Sequence, residues 1–354
     1  MVVGTMMTTS GGRSLPGTCA PYLIRDGEGE RYLVGSQLAT VIARPEDTAD
    51  RLECVIWSGG KDASMPIHRH QRGHEAVLVL DGRVELTAGT RQAVLSRGDY
   101  ASIPPGTPHA HRLLAHGTKL AVWTINGAAS QLCKTAGTPF GGMAYPPELA
   151  SDMAPAGLES LPREADTQAV SGHHADQSQL NRQDGDIGAE PYRVESGEGE
   201  RLLAGDQLFT FLSHQGHTNG AFIALMTAGP IGEPIPKHFH EQHTESFLVL
   251  DGRMTMWAND EEVQLTSGDF LHVPPGTIHS YRLDSPYTRF AGVLSPGLFE
   301  PFFRAMCEPW SGHTFPVVPG PVRFDRVMQR LDELDLKLVG PPPGPPPGAR
   351  PTPE

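Results

Sequence analysis

Apolar residues along this chain come in short runs rather than in long helical stripes. Runs such as AVLVL and FLVL are bounded by Asp-Gly, Ser-Gly-Asp and Pro-Pro-Gly turns. Short apolar segments between turn residues are typical of β-strands. The pattern therefore predicts many short antiparallel strands, as in a small barrel or jelly roll. Asp81-Gly82 and Asp251-Gly252 lie between apolar runs, and this predicts a tight hairpin at each.

The strand pattern occurs twice in the 354 residues, with a constant offset of 170. PYLIRDGEGERYLVG from Pro21 matches PYRVESGEGERLLAG from Pro191, and HRHQRGHEAVLVLDG from His68 matches HFHEQHTESFLVLDG from His238. GDYASIPPGTPHAHRL from Gly98 matches GDFLHVPPGTIHSYRL from Gly268. A register that holds over nearly a whole domain indicates gene duplication.

The segments outside the repeats complete the predicted organisation. Residues 151–189 are rich in Ala, Gly, Asp, Gln and His and lack an apolar rhythm, and residues 339–354 are rich in proline. Val322, Val327, Leu331 and Leu334 recur at helical spacing, which predicts an amphipathic helix over 322–338 packed on the second barrel. The predicted parts are a flexible leader (1–20), an N-terminal domain (21–150), a linker (151–189), a C-terminal domain (190–338) and a disordered tail (339–354).

Charge and cysteine content narrow the choice of partners. The net charge of −13 repels phosphate backbones and anionic lipids, so neither nucleic acid nor a membrane is expected as a partner. No apolar run approaches the roughly 18 residues that span a bilayer, and the N-terminus lacks the pattern of a secretory signal. Four widely spaced cysteines argue against a disulfide scaffold and a cysteine zinc site. We expect a cytoplasmic protein with reduced thiols.

Three histidines and one glutamate recur at identical spacing in both repeats. The sets are His68, His70, Glu75 and His109, and His238, His240, Glu245 and His279. Alternate residues of a strand face the same side, so each His-X-His pair points into one cavity. A single such pair also occurs on ordinary surface strands, but eight residues repeated in register favour a metal site. Imidazole and carboxylate ligands suit a divalent ion such as iron, manganese, cobalt, nickel or copper, one for each domain.

The remaining histidines and two matched tyrosines are assigned other roles. His74 should face away from Glu75, and His111, His116, His243 and His272 have no counterpart in the other repeat, so we place these five behind the ligands or at the surface. His173, His174, His214 and His217 are predicted to be solvated in loops. Tyr22 and Tyr192 are predicted to pack in the core rather than line a pocket.

These residues resemble the two motifs of the cupin superfamily. The first motif, G(x5)HxH(x4)E(x6)G, is complete from Gly232 to Gly252, whereas Asp62 takes the leading glycine position in the first repeat. The second motif, G(x5)PxG(x2)H, ends at His109 and His279. The resemblance implies an all-β bicupin of two antiparallel barrel or jelly-roll domains with a few flanking helices.

Longer strings over about residues 20–338, such as HTESFLVLDGRMTMW and PGLFEPFFR, resemble the bacterial bicupin quercetin 2,3-dioxygenases. The resemblance implies an oxidoreductase that cleaves the heterocyclic ring of flavonols with O2 and releases carbon monoxide. It implies that Glu75 and Glu245 act as general bases on the 3-hydroxyl of a flavonol or a similar flat aromatic. It is also compatible with a homodimer.

Four other functions stay open at this point. An oxalate decarboxylase is also a manganese bicupin but needs an inward arginine, and neither ligand segment shows one clearly. A storage or sugar-binding cupin often loses ligands, and a pirin-like regulator commonly lacks them in one half. A related dioxygenase could act on another enolic aromatic of secondary metabolism.

Overall fold

The computed structural model describes residues 7–8, 15–147, 167–169, 178–182 and 190–343. His173, His174, the tail beyond 343 and most of the predicted leader and linker lie outside the described residues. The strands up to residue 182 are β1 (Met7–Thr8), β2 (Tyr22–Ile24), β3 (Glu30–Val34), β4 (Gln37–Ala43), β5 (Glu53–Gly59), β6 (Ser64–His70), β7 (His74–Asp81), β8 (Arg83–Ala88), β9 (Arg91–Ser96), β10 (Tyr100–Ile103), β11 (His109–Leu113), β12 (Thr118–Ile125), β13 (Thr138–Pro139), β14 (Thr167–Ala169), β15 (Ser178–Gln179) and β16 (Asn181–Arg182).

The second repeat forms a matching series of strands, and few helices accompany the two series. Its strands are β17 (Tyr192–Val194), β18 (Glu200–Ala204), β19 (Gln207–Ser213), β20 (Ile223–Gly229), β21 (Lys237–Phe239), β22 (Thr244–Asp251), β23 (Arg253–Ala258), β24 (Glu261–Thr266), β25 (Phe270–Val273), β26 (His279–Leu283), β27 (Thr288–Ser295), β28 (Glu308–Pro309) and β29 (Lys337–Gly340). The helices are α1 (Pro45–Thr48), α2 (Ala129–Ala136), α3 (Glu300–Met306) and α4 (Phe324–Gln329), with 3₁₀ turns at Gly216–Thr218 and Leu331–Glu333.

Each repeat builds two facing sheets. The first pair has the strand orders β13-β3-β4-β5-β12-β7-β10-β17-β16 and β14-β6-β11-β8-β9-β15, and the second pair has β1-β2-β25-β22-β27-β20-β19-β18-β28 and β24-β23-β26-β21-β29. Central strands such as β4 are buried along their whole length, whereas β9 alternates buried and exposed residues in its second half. The predicted all-β fold of two jelly-roll units is therefore confirmed.

The two units exchange their first strands. Strand β2 pairs with β25 of the second unit, and β17 pairs with β10 of the first. The Tyr22 and Tyr192 side chains are buried, and each hydroxyl donates to a backbone carbonyl of its own repeat, at Ile42 and Leu212. Both tyrosines thus pack in the core, as predicted, and the buried core runs from one unit into the other. The domain bounds 21–150 and 190–338 stay a prediction.

The predicted Asp-Gly hairpins are wrong. Strand β7, which precedes Gly82, pairs with β10 and β12, whereas β8, which follows it, pairs with β9 and β11. The turn at Gly82 therefore carries the chain from one sheet to the other, and Gly252 does the same in the second unit. Gly82 has a φ of 74°, and a Cβ there would lie 2.8 Å from the Thr118 Cα, so only glycine fits this crossing. A turn pattern alone does not show which strands pair.

The predicted helix over 322–338 is only partly formed. Residues Phe324–Gln329 are helical, but after a 3₁₀ turn the chain extends into β29, which pairs with β21. Val327 and Leu334 are buried as predicted, whereas Val322 is half-exposed. The extended end is favoured because β21 would otherwise leave backbone donors and acceptors unpaired at a sheet edge. Strand β29 also reaches Gly340, two residues into the predicted tail.

Strands β14, β15 and β16 lie within the predicted linker. Strand β14 pairs with β6, the strand that carries the first His-X-His pair. Thr167 of β14 and Lys337 of β29 are 170 residues apart, so the repeat extends beyond the matched strings. In both units an added strand thus covers the outer edge of the strand that carries the ligand histidines. None of the helices in the described ranges is long and apolar enough to cross a bilayer.

Candidate metal centres

The first unit brings all four candidate ligands together. His68 and His70 lie on β6, Glu75 on β7, and His109 begins β11 opposite His68. One ligand atom of each lies within 4.8 Å of the others, and all four residues are buried. The Glu75 carboxylate lies 2.8 Å from His70 Nε2 and 3.0 Å from His109 Nε2.

The second unit repeats this arrangement with a wider glutamate position. His238, His240 and His279 place their ligand atoms within 4.8 Å of one another, with His238 directly opposite His279. The Glu245 carboxylate lies 3.5 Å from His240 Nε2 and 3.2 Å from His279 Nε2. All eight residues that the spacing singled out are therefore found in two buried clusters.

The Pro-Pro-Gly turns link the last histidine to the His-X-His pair. The Gly106 N–H donates to the His70 carbonyl at 2.7 Å, and the Gly276 N–H donates to the His240 carbonyl at the same distance. Both glycines have a positive φ, near 80°, which L-residues with a side chain rarely adopt. The turn thus holds the strand with the third histidine against the end of the strand with the first two.

Backbone carbonyls orient the histidine rings. Four Nδ1 atoms each lie 2.9 Å from the carbonyl two residues earlier, in the pairs His68–Pro66, His109–Thr107, His238–Pro236 and His279–Thr277. With the proton on Nδ1, each Nε2 keeps its lone pair and faces the centre. The same local contact in all four places shows that the backbone two residues before each histidine holds its ring in this orientation.

Burial and charge also favour metal binding. The Nε2 atoms of His109, His240 and His279 are buried and accept no hydrogen bond from the described residues. Burial, together with the neighbouring histidines, holds the pKa of His68 and His238 well below the usual value, so these rings are neutral. Burial alone raises the pKa of Glu75 and Glu245, but the adjacent histidines outweigh it and keep both carboxylates ionised. Each centre therefore fits a divalent transition metal.

An aspartate that the sequence analysis missed supports the second centre. The Asp335 carboxylate accepts N–H groups of the loop after His240, at 2.8 Å from Glu241 and 3.0 Å from both Gln242 and His243. It also accepts the His243 Nδ1–H at 2.7 Å, and the Asp335 carbonyl accepts the His240 Nδ1–H at 2.6 Å. Asp335 lies more than 90 residues from this loop, so no local spacing could have indicated the contact.

His243 joins this aspartate to the candidate ligands. Its Nε2 lies 3.6 Å from the Glu245 carboxylate, and its ring lies 4.0 Å from the His240 ring. The corresponding residue of the first repeat is Gly73, so the two centres differ behind the same four ligands. A ligand atom of His243 also lies within 4.8 Å of those of His240 and Asp335, so the placement of His243 behind the ligands stays a prediction.

The other histidines divide into two groups. His74 is buried beside Ser102 at 2.7 Å, His272 is buried beside Thr244, and His111 contacts Gln37, whereas His116 is exposed. Burial lowers the pKa of His74 and His111 to about 4 and that of His272 to about 3, so these three are neutral. These positions agree with the prediction.

The prediction that His217 is solvated is wrong, and His214 is only partly exposed. His217 is buried with its ring 5.3 Å from that of Tyr192, and His214 stacks on Phe211. Their loop folds back over the exchanged strand β17, a contact that a loop-like sequence does not reveal.

A cavity of about 300 Å³ opens onto the second centre. His238, Glu245 and His279 form its polar end. Most of the remaining wall is apolar and includes the aromatic side chains Phe209, Phe247, Tyr281, Phe290, Phe299, Phe302, Phe303 and Phe324. A largely apolar cavity with a few convergent polar groups is the usual form of a small-molecule site.

Comparison with known proteins agrees with this geometry. The cupin domain model matches residues 56–125 and 224–288. The chain is 46% identical over 335 residues to quercetin 2,3-dioxygenase from Bacillus subtilis. The aligned region covers 93% of this chain and 98% of that protein. The chain belongs to the quercetin 2,3-dioxygenase family. The two cupin matches in this chain are consistent with a bicupin organisation, and both of its ligand sets are complete.

Two solved structures show the same fold at low identity. Procruciferin, an 11S globulin from Brassica napus, is 10% identical with a TM-score of 0.54, covering 77% of this chain and 85% of its own. A mutant of Bacillus subtilis oxalate decarboxylase is 14% identical with a TM-score of 0.52, covering 78% of this chain and 77% of its own. At these identities the likeness concerns the fold alone.

Proposed function

We propose that this protein cleaves the heterocyclic ring of flavonols such as quercetin with O2 and releases carbon monoxide. The observation that carries this proposal is the identity to the Bacillus subtilis quercetin 2,3-dioxygenase over almost the full length of both chains. Two complete, buried histidine–glutamate clusters and an apolar cavity at the second one support it.

In this proposal the ligands are His68, His70, Glu75 and His109 in the first unit and His238, His240, Glu245 and His279 in the second. A divalent ion at each centre would supply Lewis acidity, which lowers the pKa of a coordinated hydroxyl. The Nδ1–carbonyl contacts hold the imidazoles in one tautomer, so the ring nitrogens are positioned before any ligand binds.

Glu75 and Glu245 are the proposed general bases. Each is ionised, buried and within 3.5 Å of ring nitrogens of its own cluster. A carboxylate in this state can accept the proton of a flavonol 3-hydroxyl, which makes the substrate electron-rich toward O2. Because the wall around Glu245 is mostly apolar, a bound flat aromatic would exclude water from that carboxylate.

The cavity also bears on the alternative functions. Its lining, as far as the described residues show, includes no arginine or lysine, so nothing there would pair with the two charges of oxalate. Storage cupins and pirin-like regulators need no complete ligand set, whereas both sets are complete here. A related enolic aromatic as the substrate stays the second candidate, because an apolar wall does not distinguish one planar ring system from another.

The cellular setting is part of the proposal. Cys54, Cys133 and Cys307 are buried free thiols, and this supports a reducing compartment such as the cytoplasm. A homodimer stays a prediction.

The test is anaerobic metal reconstitution followed by oxygen consumption with a panel of flavonols. Decay of the flavonol absorption band, with carbon monoxide formed and with no reaction after chelation of the metal, is the expected result. Carbon dioxide released from oxalate, with no flavonol consumed, would overturn the assignment in favour of a decarboxylase. Turnover of another enolic aromatic but of no flavonol would favour the second candidate.

A further inference from the structure

Gly292 stands in the middle of β27, a central strand between β22 and β20. Glycine in a strand interior weakens the sheet and often marks a close approach by a ligand or another backbone. The backbone does not require it here, because Gly292 is not among the residues with a left-handed φ. A Cβ at this position would meet only the Leu294 side chain at 3.6 Å and the Ser246 carbonyl at 3.8 Å, which are ordinary contacts.

The first repeat shows that this fold tolerates a larger residue at the same place. Val122, 170 residues earlier, occupies the equivalent position of β12 and is buried. Neither the backbone conformation nor the neighbouring atoms therefore require glycine in β27, and a larger side chain here would occupy the space in front of the strand.

That space is the cavity of the second centre. Phe290, Gly292 and Leu294 alternate along β27 and all line it. Gly292 pairs with Phe247 on one side and with Leu225 on the other, and both of these side chains also line the cavity. The hydrogen of Gly292 therefore leaves a gap in the wall between two apolar side chains.

The gap is next to the proposed base. On β22 Glu245 pairs with Leu294, and Phe247 pairs with Gly292. Because alternate residues of a strand share a face, Glu245 lies on the same face as Gly292, next to it along the strands. Thr227, on the neighbouring strand β20, also lines the cavity, and its counterpart in the first repeat is Trp57. Trp57 is buried, with its ring 6.3 Å from that of His111. At two matching positions the second unit therefore has the smaller residue.

We propose that Gly292 is a specificity-determining residue, whose gap receives the edge of the planar ring system of the substrate at the second centre. The proposal rests on the proposed function, because it takes the substrate to be a flat polycyclic enol. It adds that the second centre takes this substrate against β27, between Phe247 and Leu225. A substrate with a single ring would not reach the gap.

The test is Gly292→Val, which inserts the side chain of the first repeat, in protein whose first centre is disabled by His70→Ala. Quercetin binding is titrated anaerobically on the metal-loaded protein, so that affinity is measured without turnover. Because the valine side chain would fill the gap that the substrate edge is proposed to occupy, we expect binding to weaken about 10- to 100-fold, which corresponds to about 1.4–2.8 kcal/mol. The unfolding temperature should stay equal or rise, because a glycine has been removed from a strand.

Four measurements separate the outcomes. Gly292→Ala should weaken quercetin binding less than Gly292→Val. If the valine variant does not fold, the affinity of the alanine variant tests the proposal instead. Val122→Gly in the His70→Ala background is the matched control and should leave quercetin affinity unchanged. Affinity of Gly292→Val within about twofold of the parent, with its metal retained, would overturn the proposal. Failure of the unmodified protein to bind or consume any flavonol would instead overturn the proposed function.

Discussion

Asp335→Ala tests how the ligand loop of the second centre is held. In the folded protein one carboxylate accepts four hydrogen bonds, three from the backbone of residues 241–243 and one from His243 Nδ1, all between 2.7 and 3.0 Å. Hydrogen bonds to a charged acceptor contribute about 1.5–3 kcal/mol each, but bonds that share one acceptor are not additive. We therefore expect the free energy of unfolding to fall by about 3–5 kcal/mol, the range for breaking a buried charged pair.

The effect on metal binding should be confined to one centre. Changing a residue that orients a ligand typically weakens metal affinity about 10- to 100-fold. The second centre should show this loss, because Asp335 anchors the loop between His240 and Glu245. The first centre should keep its affinity, because the hydrogen bonds of Asp335 go to residues 240–243 of the second centre. Competitive chelator titration would resolve the two affinities, and thermal unfolding would follow stability.

Asp325→Ala is the matched control. Asp325 lies on the nearby α4 and pairs with Arg323 at the surface, so its removal should change neither metal affinity. Asp335→Asn keeps the size of the side chain, so its metal affinity at the second centre and its stability should lie between those of the parent and of the alanine variant. If Asp335→Ala retains two ions with parental affinities, the hydrogen bonds counted above do not hold the ligand loop, and the reasoning fails.

Three further predictions follow from the centres and the surface. Metal-saturated protein should contain two divalent ions per chain by elemental analysis, and a firm value near one would contradict the two-centre assignment. Glu75→Gln and Glu245→Gln should each remove part of the activity, and the double variant should lower the turnover rate about 10²–10⁴-fold. Metal occupancy is measured alongside the rate. A double variant that binds both ions and keeps the parental turnover rate would exclude glutamate as the base. Burial raises the pKa of Glu300, but hydrogen bonds from His214, the Gln215 N–H and Arg304 outweigh it and lower the pKa to about 2. The stabilisation by Glu300 is therefore present above its ordinary pKa of about 4.5 and lost as pH falls toward 2, so Glu300→Gln should unfold at a lower temperature than the parent near neutral pH but not in acid.

The candidate ligands could be predicted because their constraint is local. A His-X-His pair on a strand must point to one side, and an equal offset in both repeats makes coincidence improbable. The all-β fold could be predicted for the same reason, since period and turn residues are properties of neighbouring positions. Core packing is the prediction for Tyr22 and Tyr192, and both are buried.

The predictions that were wrong concern features that depend on contacts between distant segments of the chain. The helical spacing at 322–338 does not continue to its end, because Leu338 pairs with His238 and so satisfies backbone groups at the edge of β21. Gly82 was assigned to a hairpin because the sequence does not reveal which sheet the next strand joins. The role of Asp335 likewise depends on a loop more than 90 residues away, and the burial of His217 depends on the exchanged Tyr192.

The exchange of β2 and β17 has a consequence for assembly. Strand β17 of the second repeat pairs with β10 of the first, and β2 of the first repeat pairs with β25 of the second, so neither repeat completes its own sheet. A chain with a single repeat would have to take this strand from a second copy, in a concentration-dependent assembly. Because both repeats lie on one polypeptide, the exchanged strand is always present at a high effective concentration.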